Sequence, residues 1–177
     1  MVVAVLLLFV SGSVGSAQGD NNLLIKMFRE AAERGDAEAQ NNLGLAYYDG
    51  EGVAENDVEA VKWFRKAAEQ GNSSAQNNLG VMYDNGIGVA KDDAEAVKWY
   101  RKAAEQGDAN AQGNLGVKYR DGEGVAQNYV LAHMWLDLAR AQGNENAGKG
   151  MEIVLEKMTK EDISKAQKMA SEWQEKH

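Results

Sequence analysis

Few side chains in this sequence could carry out chemistry. The chain has 177 residues with two histidines and no cysteine, which excludes disulfides, thiol nucleophiles and thiolate metal sites. His133 lies within a predicted helix and His177 is the last residue, so the two histidines do not have the spacing of a zinc site. We expect His133 to have a structural position on a helix face, and a role as ligand or base is the alternative.

Two pairs of adjacent acidic residues remain as candidates for acid/base chemistry. Asp92 with Asp93 and Glu161 with Asp162 each stand at the start of a predicted helix, where carboxylates favourably oppose the helix dipole. The sequence contains no Ser-x-x-Lys motif, and its glycine-rich loops lack the Gly-Lys-Ser/Thr of a phosphate loop. We therefore predict no catalytic residue, no cofactor site and no metal site, and we expect the protein not to be an enzyme.

The charge and composition narrow the classes of partner. The formal net charge is −8, and the 19 lysines and arginines are scattered along the chain. Nucleic acids and anionic lipid surfaces are therefore disfavoured as partners. The chain has no proline and is rich in Ala, Glu, Lys and Gln, which favours helices.

An uncharged apolar run at residues 2–10 sets the N-terminus apart. It is shorter than the roughly 20 residues of a membrane-spanning helix, so stable membrane insertion is not expected. The run resembles the apolar region of a signal peptide, with Gly15 and Ala17 as the small residues before a cut at Gln18. We predict a signal peptide at residues 1–17 and a periplasmic or secreted protein. The leader has no Lys or Arg, and a buried or disordered N-terminal segment is the alternative.

Nearly the same sixteen residues recur every 36 positions, beginning at Ala39, Ala75 and Ala111. In the first copy Ala39, Leu43 and Tyr47 form one apolar stripe, which predicts a helix starting near Ala39. A glycine-rich loop follows, and then a second helix. We call these the first-type and second-type helices. A fixed period of this length predicts stacked helical repeats, here at residues 39–74, 75–110 and 111–146.

The second-type helices have a capping and packing pattern of their own. Asn56 with Glu59 predicts a capping box at the start of the first one. A recurring tryptophan predicts a core anchor in each copy, at Trp63, Trp99 and Trp135.

One glycine recurs in the middle of each first-type helix, at Gly44, Gly80 and Gly116. A glycine there costs roughly 1 kcal/mol relative to alanine. The repetition of this cost predicts a neighbouring helix too close for a side chain.

The same register extends beyond the three copies. Residues 22–36 align with a second-type helix and form a half repeat, and residues 145–176 form a degenerate capping pair with polar outer faces. In that pair, Ala147, Met151 and Leu155 take the positions of Ala111, Leu115 and Tyr119. The predicted fold is all-α, a right-handed α-solenoid of nine helices in stacked antiparallel pairs, forming one domain at residues 18–177.

The pattern Ala-x-x-x-Leu-Gly-x-x-Tyr, then Gly-x-Gly-Val, then Ala-x-x-Trp-x-x-x-Ala-Ala-x-x-Gly resembles the Sel1-like repeat, a relative of the tetratricopeptide repeat. The resemblance implies a protein-interaction scaffold, often in exported bacterial proteins. A cysteine-rich subgroup from Helicobacter is linked to β-lactam binding and hydrolysis. Because its cysteine pairs are missing here, the resemblance does not carry that activity over.

The face of the first-type helices opposite the apolar stripe is the candidate binding surface. A helical wheel places residues 41, 42, 45 and 48 there, and in tetratricopeptide-like arrays this side lines the concave groove. Asn42, Asn78 and Asn114 would form a row of amides able to bind an extended peptide. A position that varies between copies follows, at Tyr48, Asp84 and Arg120. The alternatives are that the asparagines bond to neighbouring repeats and that the varying residues simply face solvent.

The sequence thus predicts an adaptor that binds a protein or peptide partner in a concave groove, without cofactor or nucleic acid. Two other functions stay open. One is a β-lactamase-like hydrolase, by association with the cysteine-rich subgroup, and the other is a structural component of an envelope assembly.

Overall fold

The computed structural model describes the backbone of residues 14–176 and the side chains of residues 23–145 and 147–176. Within these residues the chain forms nine helices and no strand: α1 (Val14–Glu33), α2 (Ala37–Asp49), α3 (Asp57–Glu69), α4 (Ser73–Asn85), α5 (Asp93–Glu105), α6 (Ala109–Asp121), α7 (Tyr129–Ala141), α8 (Glu145–Leu155) and α9 (Lys160–Gln174). Each helix from α1 to α7 packs against the next helix along the chain, and α9 packs on α7. The predicted all-α solenoid is confirmed.

The first-type helices begin two residues earlier than the apolar stripe indicates. Asp36, Asn72 and Asp108 act as N-caps, and each side chain accepts a hydrogen bond from the third backbone N–H that follows. At Asp36 this bond to the Ala39 nitrogen measures 2.7 Å. The caps are short polar side chains, which satisfy donors that the helix itself cannot.

The capping box predicted at Asn56 and Glu59 is only half formed. Asn56 accepts from the backbone N–H of Glu59 at 3.1 Å, but the Glu59 carboxylate pairs with Lys62 at 2.5 Å. A complete capping box stands at the start of α9, between Thr159 and Asp162.

The mid-helix glycines lie where a side chain has no room, as predicted. A Cβ on Gly44 would lie 2.6 Å from the ring of Phe64, and one on Gly80 would lie 2.6 Å from the ring of Tyr100. On Gly116 it would lie 2.7 Å from Leu136 Cγ. The two helices of one repeat therefore approach closely because the glycine leaves space for the residue that faces it.

The second glycine of two loops, Gly88 and Gly124, lies against the preceding repeat. Gly88 has a φ of +64°, and a Cβ there would overlap the backbone carbonyl of Asp57 in the preceding repeat. Gly124 stands in the same way against Asp93. These loop glycines permit both a left-handed backbone and the stacking of one repeat on the next.

The recurring tryptophans are less uniform than predicted. Trp99 and Trp135 are buried, but Trp63 is only half-buried. The residue after each of them is the more completely enclosed one: Phe64, Tyr100 and Leu136. These three are the side chains that fill the space beside the mid-helix glycines.

The C-terminal pair departs from the repeat at one predicted core position. Ala147 and Met151 are buried as expected, but Leu155 is 40% exposed and Val154 is fully buried in its place. The reason is that α8 ends at Leu155, without the glycine cap and loop that follow α2, α4 and α6. The expected inward position therefore falls on the last residue of the helix.

The last helix covers the end of the stack. Trp173 of α9 meets Trp135 edge to face, with ring centroids 6.1 Å apart. Met134 is buried at the position where the earlier second-type helices carry the exposed Lys62 and Lys98. This explains the divergence of α7, since only α7 has α9 packed on it.

Candidate functional site

The predicted asparagine row bonds between repeats. Asn78 Nδ2 donates to Asn41 Oδ1 at 3.1 Å, and Asn114 Nδ2 donates to Asn77 Oδ1 at 3.1 Å. Asn42 is half-buried on the same face. The alternative that these amides bond to a neighbouring repeat is thus what the structure shows for Asn78 and Asn114, and each half-buried amide keeps further donor and acceptor capacity.

The expectation that residue 41 faces the groove is wrong. Asn41 is 7% exposed, and Asn77 is 9% exposed. Their side chains turn toward the next repeat because that is where the amide partners lie. A helical wheel of a single helix does not contain this information.

The amide row stops where both partners are lost together. The next pair in the 36-residue register would join Gly113 and Gly150, and neither has a side chain. A buried amide without a partner is costly, whereas loss of both partners removes the cost. The paired replacement therefore marks the end of the regular array.

The residues of the varying row at Tyr48, Asp84 and Arg120 have different surroundings. Tyr48 is 37% exposed. Asp84 is held in an ion cluster described below, and Arg120 pairs with the adjacent Asp121 at 2.7 Å. This hydrogen bond raises the pKa of Arg120 above its ordinary value and lowers that of Asp121.

A buried lysine forms the largest charged cluster among the described side chains, and no sequence pattern predicted it. Lys118 is 4% exposed, and its Nζ contacts carboxylates of three other residues, Asp84 at 2.5 Å, Glu123 at 2.7 Å and Asp93 at 3.3 Å. Burial lowers the pKa of Lys118, but the bonds to Asp84 and Glu123 outweigh it and raise the pKa above its ordinary value.

The three carboxylates of this cluster lie close enough together to hold a metal ion. The ammonium of Lys118 already provides the positive charge between them. The cluster joins α4, the start of α5 and the loop after α6, so its geometry indicates an internal counter-ion arrangement. The one sign in the sequence is that Lys118 occupies the position of Ala46 and Met82.

A row of aliphatic side chains is a second feature of this face, and the helical wheel had placed only its first position, residue 45, there. It occupies one register position on every first-type helix and stays partly or wholly exposed: Leu45, Val81, Val117 and Ile153. The row lies beside the half-buried asparagines, so the first-type face combines apolar contacts with amide hydrogen-bonding groups.

Two pockets open on this face at its N-terminal end. One of about 70 Å³ lies between α2 and α4 and is lined by Leu45, Tyr48, Phe64, Asn78, Val81 and Met82. The other, of about 300 Å³, lies between α1 and α2 and includes Phe28, Asn42 and Leu45. Leu45 belongs to both, so it stands at the centre of the apolar part of this surface.

A buried glutamine relay holds the repeats below this surface. Gln76 is 4% exposed; it donates to the Ala68 carbonyl at 3.0 Å and accepts from Gln106 at 2.7 Å. The same two bonds recur at Gln40 and at Gln112. The relay fixes the spacing of the repeats that present the aliphatic row.

Comparison with known proteins defines the family. Residues 37–72, 73–108 and 109–144 match the Sel1 repeat, and together they span more than half of the chain. The chain belongs to the Sel1 repeat family, whose members are generally protein-interaction scaffolds without enzymatic activity. No curated protein matches the sequence.

Solved structures support the same assignment. A Sel1 repeat protein from Oxalobacter formigenes is 44% identical over 72% of this chain and 96% of its own, with a TM-score of 0.66. The protein c5321, a protective antigen of uropathogenic Escherichia coli with an SLR fold, is 31% identical over 85% of this chain and 40% of its own (TM-score 0.65). Cysteine-rich protein B of Helicobacter pylori is 26% identical over 78% of this chain and 97% of its own (TM-score 0.59).

None of the helices in the described part of the chain is long and apolar enough to cross a membrane. The apolar run at residues 2–10 lies outside the described residues. The predicted cut before Gln18 falls within α1, ahead of Ile25 and Ala32, which belong to the core shared with α2.

Proposed function

We propose that this chain is a non-catalytic adaptor that binds an extended segment of a partner protein along the first-type helices. The observation that carries the proposal is the aliphatic row beside the half-buried asparagines, in which Leu45 and Ile153 are exposed and Val81 and Val117 are half-buried. When an extended peptide binds, hydrogen bonds to its backbone give affinity, and pockets for its alternate side chains give specificity.

The pockets that share Leu45 are the first anchor for such a peptide. Most of the surface that lines the smaller pocket is apolar, and Tyr48 is one of its lining residues. We propose that an aliphatic side chain of the partner enters it. Asn78 lines the same pocket and can bond the backbone next to that side chain, while its bond to Asn41 holds it in place.

The varying row gives this surface its selectivity in the proposal. Tyr48 offers an aromatic contact near the N-terminal end, whereas Asp84 and Arg120 stand within ion pairs further along. Because those charges are already partly neutralised by their ion pairs, the charged positions set the register of the bound peptide, and the aliphatic row provides the apolar contacts.

A peptide selection on the immobilised chain tests this function. The variant Leu45→Asn/Val81→Asn removes two members of the row. We expect it to bind the selected peptides at least about tenfold more weakly, which corresponds to about 1.4 kcal/mol. The matched control is Val58→Asn, because Val58 is a 53% exposed aliphatic residue on a second-type helix. Fluorescence anisotropy measures the affinities, and circular dichroism confirms folding. Equal binding by the two variants would place the site elsewhere.

We also propose that the chain is exported, with residues 1–17 as its signal peptide. The support is the uncharged apolar run at residues 2–10 followed by small residues. N-terminal sequencing of the protein recovered from a fractionated bacterial host tests this. A mature N-terminus at Gln18 outside the cytoplasm is expected, and an intact leader in the cytoplasm would overturn it.

A further inference from the structure

A cavity of about 380 Å³ lies between α7, α8 and α9. It is lined by His133, Asp137, Arg140, Gly148, Met151, Leu155, Ile163 and Gln167. Its volume falls within the range of small-molecule sites.

Most residues that line the cavity occupy positions where the sequence departs from the 36-residue repeat. His133 stands in the register of Val61 and Val97, and Arg140 in that of Ala68 and Ala104. Three further lining residues also depart from the pattern: Asp137 replaces Arg65 and Arg101, Gly148 replaces Gln76 and Gln112, and Leu155 replaces Tyr83 and Tyr119. Five of the substitutions that end the array therefore converge on one space.

The missing glutamine leaves room in this cavity. At Gln76 and Gln112 the buried side chain bonds the carbonyl of Ala68 or Ala104. At Gly148 a Cβ would meet nothing within 4 Å. The glutamine relay has therefore ended, and the space directly beside Gly148 is open.

One residue that lines this space, His133 of α7, carries a buried imidazole. His133 is 4% exposed, and its Nδ1 has no hydrogen-bond partner among the described residues. Burial lowers the pKa of His133, although Asp137 opposes the shift, so the ring is neutral at pH 7. A buried polar atom without a partner is uncommon and calls for a ligand or a water.

Two opposite charges stand at the edge of the same cavity. Arg140 bonds Asp137 at 2.8 Å, and their side chains remain 63% and 27% exposed. Each keeps polar capacity beyond this single bond. The opposite wall is apolar, with Met151, Leu155 and Ile163.

We propose that this cavity binds a free amino acid with an aliphatic side chain. The α-ammonium group pairs with Asp137, the α-carboxylate pairs with Arg140, and the side chain lies on Met151 and Leu155. Adjacent opposite charges match the adjacent charges of a zwitterion, and the apolar wall selects its aliphatic body.

A titration of the ¹⁵N-labelled chain followed by NMR tests this site with three probes that differ only in their charged groups. The probes are L-leucine, 3-methylbutylamine, which lacks the carboxylate, and 4-methylpentanoate, which lacks the ammonium. We expect saturable shifts in α7, α8 and α9 with L-leucine, and at least about tenfold weaker binding of both analogues, because each loses one charge-assisted contact.

Variants that restore the repeat serve as controls. Gly148→Gln introduces the glutamine that the repeat carries at the equivalent position, Gln112. Its side chain would fill the cavity and should abolish L-leucine binding. Arg140→Ala restores the residue of Ala104 at an exposed position, so folding is retained and binding should weaken at least about tenfold. Absence of a saturable shift with L-leucine, equal binding of the three probes, or undiminished binding by both variants would each overturn the proposal.

Discussion

At Gly44, Gly80 and Gly116 a single missing methyl group determines how closely two helices pack. The ring or branched side chain that faces each glycine lies within 2.7 Å of the place of its Cβ. Helix propensity alone favours alanine at all three positions, so the packing term outweighs the propensity term.

Gly80→Ala should therefore destabilise the fold although alanine is the better helix former. The Cβ would meet the fully buried ring of Tyr100, and we expect a loss of about 1–3 kcal/mol, which is typical of overpacking. Urea denaturation monitored by circular dichroism measures the effect. Gly148→Ala is the matched control: its Cβ has open space, so it should stabilise by up to about 1 kcal/mol. A stabilising Gly80→Ala would contradict the packing argument.

Lys118 shows how one residue changes the chemistry of a repeat position. Lys118→Met introduces the residue of Met82 and leaves Asp84, Asp93 and Glu123 without their shared cation. Because the carboxylates keep partial exposure to water, we expect a loss of about 1–3 kcal/mol at pH 7 rather than the full cost of breaking a buried pair.

The control for Lys118→Met is Lys62→Met, whose ion pair with Glu59 is exposed. That change should cost less than about 0.5 kcal/mol. Equal losses in urea denaturation would show that the lysine cluster contributes no more than a surface pair.

His133 gives a pH dependence with a defined sign. Its pKa is lower in the folded chain than the ordinary value of 6.5, so the unfolded chain binds more protons just below that pH. Stability should therefore fall as the pH decreases from about 6.5 toward 5. In His133→Val the free energy of unfolding should no longer fall over this pH range, as measured by urea denaturation at several pH values. Parallel slopes for the two proteins would contradict a lowered pKa.

Elements are joined here by side-chain pairs that repeat, change and end together. The glutamine relay, the asparagine row and the arginine–tyrosine pairs all follow the 36-residue period; Arg65 bonds the Tyr83 hydroxyl at 2.6 Å, and Arg101 bonds that of Tyr119 at 2.8 Å. In the next repeat Asp137 and Leu155 replace both members. The residues that meet between repeats are thus replaced together, although only the structure shows which residues meet.

The buried glutamines of the relay should contribute more to stability than the exposed glutamines that donate to them. Gln76→Met keeps the side-chain length but removes two hydrogen bonds from a buried site, and we expect a loss of about 1–3 kcal/mol. Gln106→Met removes the exposed partner and should cost less. Thermal denaturation of both variants measures the difference, and a larger loss for Gln106→Met would contradict the assigned burial.

The number of helices, their division into first-type and second-type helices, and the close helix packing at the mid-helix glycines were predictable. Each follows from the residue spacing within one repeated segment. The inward turn of Asn41 and the burial of Lys118 were not, since each depends on a partner in another repeat. Leu155 was misplaced for a related reason: the register predicts an inward position but not that α8 ends there. The aliphatic row could have been found by comparing positions 45, 81, 117 and 153.

At the scale of the whole molecule, the uniform framework supports two surfaces of different origin. The first-type face uses positions that stay similar from copy to copy, whereas the cavity beside His133 uses positions where the copies stop. The polar outer face of α9 closes the C-terminal end of the stack. A repeat protein can in this way carry a shared binding surface and a terminal site without changing its core.

The most direct test of the central claim is to map a bound peptide by NMR. A peptide selected on the wild-type chain should shift amide resonances along α2, α4 and α6, strongest beside Leu45 and Val81, and leave the exposed faces of α3 and α5 unchanged. Shifts confined to the second-type helices would contradict an adaptor that binds through its first-type face.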